Sequence, residues 1–203
     1  VRLVPAELAI PSGLVGCLPG AGDTVAEDLA HFGVRVEILD DQVLRSGALD
    51  RFDAIVFGVR AHNTRPELLG LKDRLLEYVR GGGTLLVQYL VSNWWAPFDE
   101  SIGPGEIRIG PGRVTDQGAK VEFVNPKHPL LLMPHRIDEA DFEGWVQERG
   151  LYFASSWSEE YQPLFRLADP GEESQEGSTV VAKHGAGRFV YTGLSFFRQL
   201  PAG

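Results

Sequence analysis

Four short apolar runs, spaced by segments of helical length, constrain this chain more than any other feature. Gly13-Leu14-Val15-Gly16-Cys17-Leu18 stops at Pro19-Gly20-Ala21-Gly22-Asp23, Val34 to Leu39 alternates, Ala54 to Val59 is continuously apolar, and Thr84 to Tyr89 follows Gly81-Gly82-Gly83. Uninterrupted runs of this length suit strands covered on both faces, and the Gly and Pro clusters mark where such strands stop. Between the first two runs, Val25, Leu29 and Phe32 share a helical face, Thr24 and Glu27 have capping-box spacing, and Gly33 suits a left-handed helix end. Between the third and fourth, Thr64 and Glu67 repeat that spacing ahead of a stripe of Leu68, Leu71, Leu75 and Val79. Alternation of strand and helix predicts an α/β fold with a doubly wound parallel sheet.

Beyond Asn93 the periodicity breaks up into Trp94-Trp95-Ala96-Pro97, a Gly/Pro-rich stretch over 103–112 and short β-like pieces around 120–124. This reads as an irregular, β-rich elaboration over about 93–176. Ser178 to Lys183 and Arg188 to Thr192, joined through His184-Gly185-Ala186-Gly187, then form a hairpin that returns to the sheet. A length of 203 residues suits one domain. Because the sequence starts at Val1 and stops at Leu200-Pro201-Ala202-Gly203, close behind a core strand, it is expected to be a fragment of a longer chain.

Charge narrows the partners. A net charge of −9 without a Lys/Arg cluster argues against a nucleic-acid partner, since a phosphate backbone needs a basic track. The lone Cys17 cannot form an intrachain disulfide, which fits the cytoplasm and equally a bacterial periplasm, so the compartment stays open. A membrane span is not expected, because no apolar run approaches the roughly 20 residues that one requires.

Five segments in order carry a resemblance: Gly20-Ala21-Gly22-Asp23; Gly58 to Asn63; Tyr78 to Thr84; Gly144 to Tyr152 (Gly-Trp-Val-Gln-Glu-Arg-Gly-Leu-Tyr); and Tyr191 to Pro201. Together they resemble the C-terminal class I glutamine amidotransferase-like region of large bacterial PIG-L (LmbE-like) deacetylases, related to ThuA-like domains, over nearly the whole chain. The resemblance implies a flavodoxin-like sheet, a catalytic deacetylase domain upstream in the parent chain as partner, and carbohydrate as ligand. A PIG-L zinc site, built on His-Pro-Asp-Asp and a later His-x-x-His, is missing here: His31, His62, His128, His135 and His184 are scattered, and His128-Pro129 is followed by Leu130-Leu131. No metal and no cofactor is expected.

Glutaminase chemistry also lacks its parts. The nucleophile would stand on the sharp turn behind a central strand, where this chain has Gln88-Tyr89, and the last strand leads into Ser195-Phe196 where a related family has histidine. Cys17 lies inside an apolar strand, a position for a small buried hydrophobe. The polar residues near predicted strand ends compose a candidate ligand cleft of Asp23, Arg60, His62, Asn63, Gln88, Tyr89, Trp145, Glu148, Arg149 and Arg198. Most also have a bland role: Asp23 as a helix cap, Arg60 in an ion pair with Asp23 or another carboxylate, Asn63 shaping a turn, Trp145 in a packing seam, Glu148 with Arg149 locking a loop, and Arg198 in a structural ion pair.

The sequence thus points to a non-catalytic accessory or binding domain associated with a deacetylase of N-acetylated sugars. Two alternatives remain: a hydrolase using Asp23 or Glu148 as base, and an oligomerisation domain joined through Trp94 and Trp95. A base within reach of a closed pocket would favour the hydrolase, and an apolar patch around the two tryptophans would favour the oligomer.

Overall fold

A computed structural model describes residues 9–94, 97–98 and 101–202; Trp95 lies outside the described residues. The four apolar runs become β1 (Leu14–Leu18), β2 (Arg35–Ile38), β3 (Ala54–Phe57) and β4 (Thr84–Gln88). The C-terminal hairpin supplies β10 (Thr179–His184) and β11 (Gly187–Thr192), and β8 (Tyr161–Pro163) adds an edge. They build a seven-stranded sheet in the order β2-β1-β3-β4-β11-β10-β8. The first five strands in that order are parallel; β10 pairs antiparallel with both β11 and β8. The fold is therefore α/β with a mostly parallel, flavodoxin-like sheet, and one strand of the predicted elaboration belongs to that sheet.

Successive side chains in a strand point to opposite faces, and the core sorts accordingly. On one face Leu18, Ile55, Phe57, Leu85, Val87, Phe189 and Tyr191 pack with Leu44 of α2 (Asp41–Ser46) and with Leu75 and Val79 of α4 (Lys72–Arg80). On the other face Val15, Cys17 and Val56 meet Ala26 and Leu29 of α1 (Val25–His31). Further along that face Leu86, Val181 and Val190 meet Val114, Phe142, Trp145, Phe153 and Phe165. These last belong to the elaboration, in which β5 (Ile107–Val114) pairs with β7 (Gly150–Trp157) and β6 (Val121–Phe123) with β9 (Phe165–Leu167), both antiparallel. Phe57 and Phe189 are fully buried, and truncating such a ring to alanine costs about 3–5 kcal/mol.

Neither predicted capping box forms. At α1 the Thr24 hydroxyl bonds Asp28 Oδ2 at 2.6 Å, and the Val25 N–H is taken by Asp23 Oδ1 at 3.3 Å, so the cap comes from the preceding residue. The second fails for a backbone reason. Pro66 disfavours helical geometry at Arg65, which sits at φ −134° and ψ 75°. Thr64 consequently ends α3 (Ala61–Thr64), residues Pro66–Leu71 form a 3-10 turn, and α4 begins only at Lys72. The helix α2 was not anticipated from the sequence; Asp40 caps it by accepting from Val43 N–H at 2.8 Å. A final helix, α5 (Phe196–Ala202), follows β11 and packs beside α1. Among the described residues no helix is long and apolar enough to cross a membrane.

Candidate functional site

In an open parallel sheet the place for a ligand is the crevice outside the carboxyl ends of the strands where the order reverses, between β1 and β3 in this topology. Here the two loops close on each other. Ala21 N–H donates to Val59 O at 2.7 Å, and Asp23 Oδ2 accepts from Val59 N–H at 2.9 Å. A Cβ on Gly20 would stand 2.2 Å from Val59 O, and one on Gly58 2.5 Å from Gly20 N, so the approach is open to glycine alone. Asp23 is thereby committed to backbone N–H groups of both loops, and among the described residues no ion pair joins it to Arg60. Beneath them Cys17 is 3% exposed, and burial, then the charges of Asp23 and Glu27, push its thiol up to about 12. A nucleophilic cysteine needs the opposite shift.

One strand further on, the chain behaves differently. Tyr89, directly after β4, has φ 41°, and Arg60, behind β3, has φ 61°. Both are left-handed conformations that cost a residue with a side chain roughly 1–2 kcal/mol. They are held together by Arg60 N–H donating to Tyr89 O at 2.9 Å, while Tyr89 N–H donates to Thr192 O at 2.8 Å. A third such residue, Tyr152 at φ 56°, places its ring edge-on to Tyr89 with centroids 5.3 Å apart. The buried Tyr191 braces the group: its hydroxyl donates to Tyr152 O at 2.5 Å and accepts from Leu90 N–H at 3.4 Å.

Around these rings stand the charges. Phe197 packs against Tyr89 at 5.6 Å, and the Arg198 guanidinium lies over Phe197 at 4.9 Å. Arg198 Nε donates to Glu148 Oε1 at 2.7 Å, and the Ser195 hydroxyl donates to the same oxygen at 3.1 Å. Burial raises the Tyr89 phenol above its ordinary range, Tyr152 and Glu148 add to the rise, and Arg198 and Arg60 oppose it. A phenol raised in this way stays protonated at neutral pH. Arg60 is exposed and forms no ion pair among the described residues, so it is the charge in this cluster left for something else.

Arg60, Tyr89, Glu148 and Arg198 of the predicted cleft are thus brought together; the other six residues are placed elsewhere. His62 is buried between the rings of Phe57 and Phe98, with Nδ1 unpartnered, and burial holds its imidazole down at about 4. Asn63 pins the loop behind β4 by exchanging two hydrogen bonds with the Val91 main chain, at 3.0 and 2.9 Å. Gln88 is buried and donates to Phe57 O at 3.3 Å. Trp145 is buried against Phe142 and Phe196, and its indole N–H donates to Asp141 O at 2.9 Å. Arg149 is also buried; it does not pair with Glu148, whose partner is Arg198, and it donates instead to Ala119 O and Phe142 O.

Tyr152, Phe197 and Ser195 complete the cluster without having been singled out as site residues. The signal for Tyr152 was its place at the end of the Gly144 to Tyr152 segment, but nothing local reveals that β7 carries it to the end of β4. Trp94 is 84% exposed. Among the described residues no three His, Cys, Asp or Glu side chains gather as a metal ion would require. The most voluminous of the described hollows, about 720 Å³, lies at the amino ends of β3 and β4, and its Arg74 and Tyr78 donate to the main chain around it.

No protein-family model matches the chain, and no curated protein matches it by sequence. Solved structures are similar in fold. A cytoplasmic protein from Salmonella typhimurium aligns at 15% identity and TM-score 0.50 over 88% of this chain and 86% of that one. A β-galactosidase from the Antarctic haloarchaeon Halorubrum lacusprofundi aligns at 14% identity and TM-score 0.50, over 98% of this chain and 31% of that one. A ThuA-like protein from Bacteroides uniformis aligns at 14% identity and TM-score 0.48, over 94% and 85% respectively. The chain spans less than a third of the length of the β-galactosidases it matches. At these identities the likeness concerns the fold alone.

Proposed function

We propose that this chain is a class I amidotransferase-like domain that has exchanged turnover for binding, and that its ligand is an N-acetylated sugar compound held at the carboxyl ends of β3, β4 and β11. The observation that carries the reading is Tyr89: the strained turn behind β4, where amidotransferase chemistry would set its thiol, holds a protonated phenol inside an aromatic cluster. Strained residues persist only where the surrounding structure over-determines them, and such places are often functional. A sugar ring has apolar C–H faces suited to the Tyr89, Tyr152 and Phe197 rings, and an acetamide carbonyl suits the unpaired fork of Arg60.

The hydrolase alternative receives less support, because each carboxylate named for it is already in use. Asp23 accepts from two main-chain N–H groups, and Glu148 is held by Arg198 and Ser195. The resemblance to PIG-L deacetylases further suggests that the domain serves a deacetylase upstream in the parent chain. The 84% exposed Trp94 favours a contact with that domain or with another subunit.

Thermal unfolding with N-acetylglucosamine and with glucosamine tests the ligand class. At about ten times Kd, N-acetylglucosamine should stabilise by about 1.4 kcal/mol, which is roughly 4 °C for a chain of this size. Glucosamine, lacking the acetyl carbonyl and carrying a cation, should not. Equal shifts, or none, contradict the reading.

A further inference from the structure

A second polar place lies away from the strand ends, in the elaboration. A hollow of about 450 Å³ is lined by Gln117, Lys120, Glu139, Glu143, Trp145 and Arg149, among others. Arg149 is only 5% exposed, so most of its side chain is out of water while its unbonded end faces the hollow. A buried cation is tolerated when a counter-charge and hydrogen-bond acceptors compensate it. Of the five guanidinium N–H donors, Nε donates to Ala119 O at 2.9 Å and Nη1 donates to Phe142 O at 2.5 Å. Nη2 makes no hydrogen bond among the described residues. Both partners are neutral carbonyls.

Among the described residues no anion completes this group. Asp116 offsets part of the burial penalty on Arg149, but its Oδ1 is turned to the Gly118 N–H at 2.8 Å and forms no ion pair with the guanidinium among the described residues. Glu139 and Glu143 line the same hollow and likewise form none. The guanidinium itself is held in place, with its Cζ over the Trp145 ring at 5.4 Å and over the Phe142 ring at 5.7 Å. An immobilised fork with unspent donors on the wall of a hollow is the arrangement that takes a planar oxyanion through two parallel hydrogen bonds.

We propose that the Arg149 hollow is a binding site for a carboxylate group, formed by Nη1 and Nη2 and separate from the cluster around Tyr89. The rim sets its selectivity. Glu139 and Glu143 repel any anion, and a dianion about twice as much as a monoanion, so a monocarboxylate is preferred over sulfate or phosphate. Lys120, exposed on the same rim and loosely paired with Glu122 at 3.8 Å, adds positive charge to the approach of the anion.

The test follows the Arg149 Nε–H and Trp145 indole N–H resonances of the isotopically labelled chain on addition of acetate, with chloride, acetamide and sulfate at matched ionic strength. Acetate should move both resonances saturably, sulfate more weakly, and chloride and acetamide not at all. Lys120→Glu, at an exposed position that leaves the fold intact, should weaken acetate by roughly fivefold. Arg149→Lys, which keeps the charge and loses the fork, should abolish the response of the Trp145 resonance. Tyr89→Ala should leave acetate binding unchanged, which keeps this site distinguishable from the sugar site. Resonances that acetate leaves in place, an equal response to acetamide, or unchanged acetate affinity in Lys120→Glu would overturn the proposal.

Discussion

His62 stands two residues behind the strained Arg60 and takes no part in the polar cluster. Its imidazole is enclosed by Phe57 and Phe98, and burial depresses its pKa from 6.5 to about 4. Below pH 6.5 the unfolded chain binds a proton that the folded chain refuses, so unfolding is favoured as the pH falls from about 6.5 towards 4. The loss should approach about 3 kcal/mol at the lower end of that window. Urea unfolding at a series of pH values should show it, and His62→Leu should flatten the profile between those limits while the carboxylate-dependent loss at lower pH persists. A profile unchanged by the substitution would show that the imidazole is solvated in the folded state. Sequence spacing put His62 beside Arg60 and Asn63 at a strand end, but it does not say which of three adjacent side chains turns inward. The first turn of α3 does, and it turns the histidine towards the core.

At the scale of elements, the loops behind β1 and β3 are fused through Asp23, Gly20 and Gly58. Gly58→Ala should force the loops apart and cost about 3 kcal/mol, in the range of an overpacked core. Chemical denaturation should show a lower midpoint with an unchanged slope; a variant as stable as the parent would mean that the loops are not in contact. The strands were legible because continuous apolar runs between turn signals leave few alternatives, and β1, β3 and β4 formed within those runs. Helix starts were less so. The spacings Thr24–Glu27 and Thr64–Glu67 both suit a capping box, yet Asp23 outcompetes the first and Pro66 breaks the second. The elaboration resisted reading because its strands pair across long separations, with Ile107 opposite Trp157 and Val121 opposite Leu167. No local pattern announces such partners.

For the molecule as a whole, one polar place stands at the sheet's strand ends and a second in the elaboration. Ten residues read along the sequence as a single cleft separate, once folded, into loop braces, a core histidine, the Arg149 hollow and the cluster around Tyr89. The separation follows from long-range connections: Glu148 meets Arg198 50 positions away, and Tyr191 holds Tyr152 from 39 positions away. What the sequence does show at the turn behind β4 is an amide and a phenol, Gln88-Tyr89. The measurement that bears most directly on this is proton NMR of the chain incubated with N-acetylglucosamine, which reports binding and turnover in one sample. Saturable broadening of the sugar resonances that is lost in Tyr89→Ala, with the acetyl methyl signal undiminished and no free acetate, is the predicted result. Release of acetate that stops when Asp23 or Glu148 is replaced would contradict it and make this chain an enzyme.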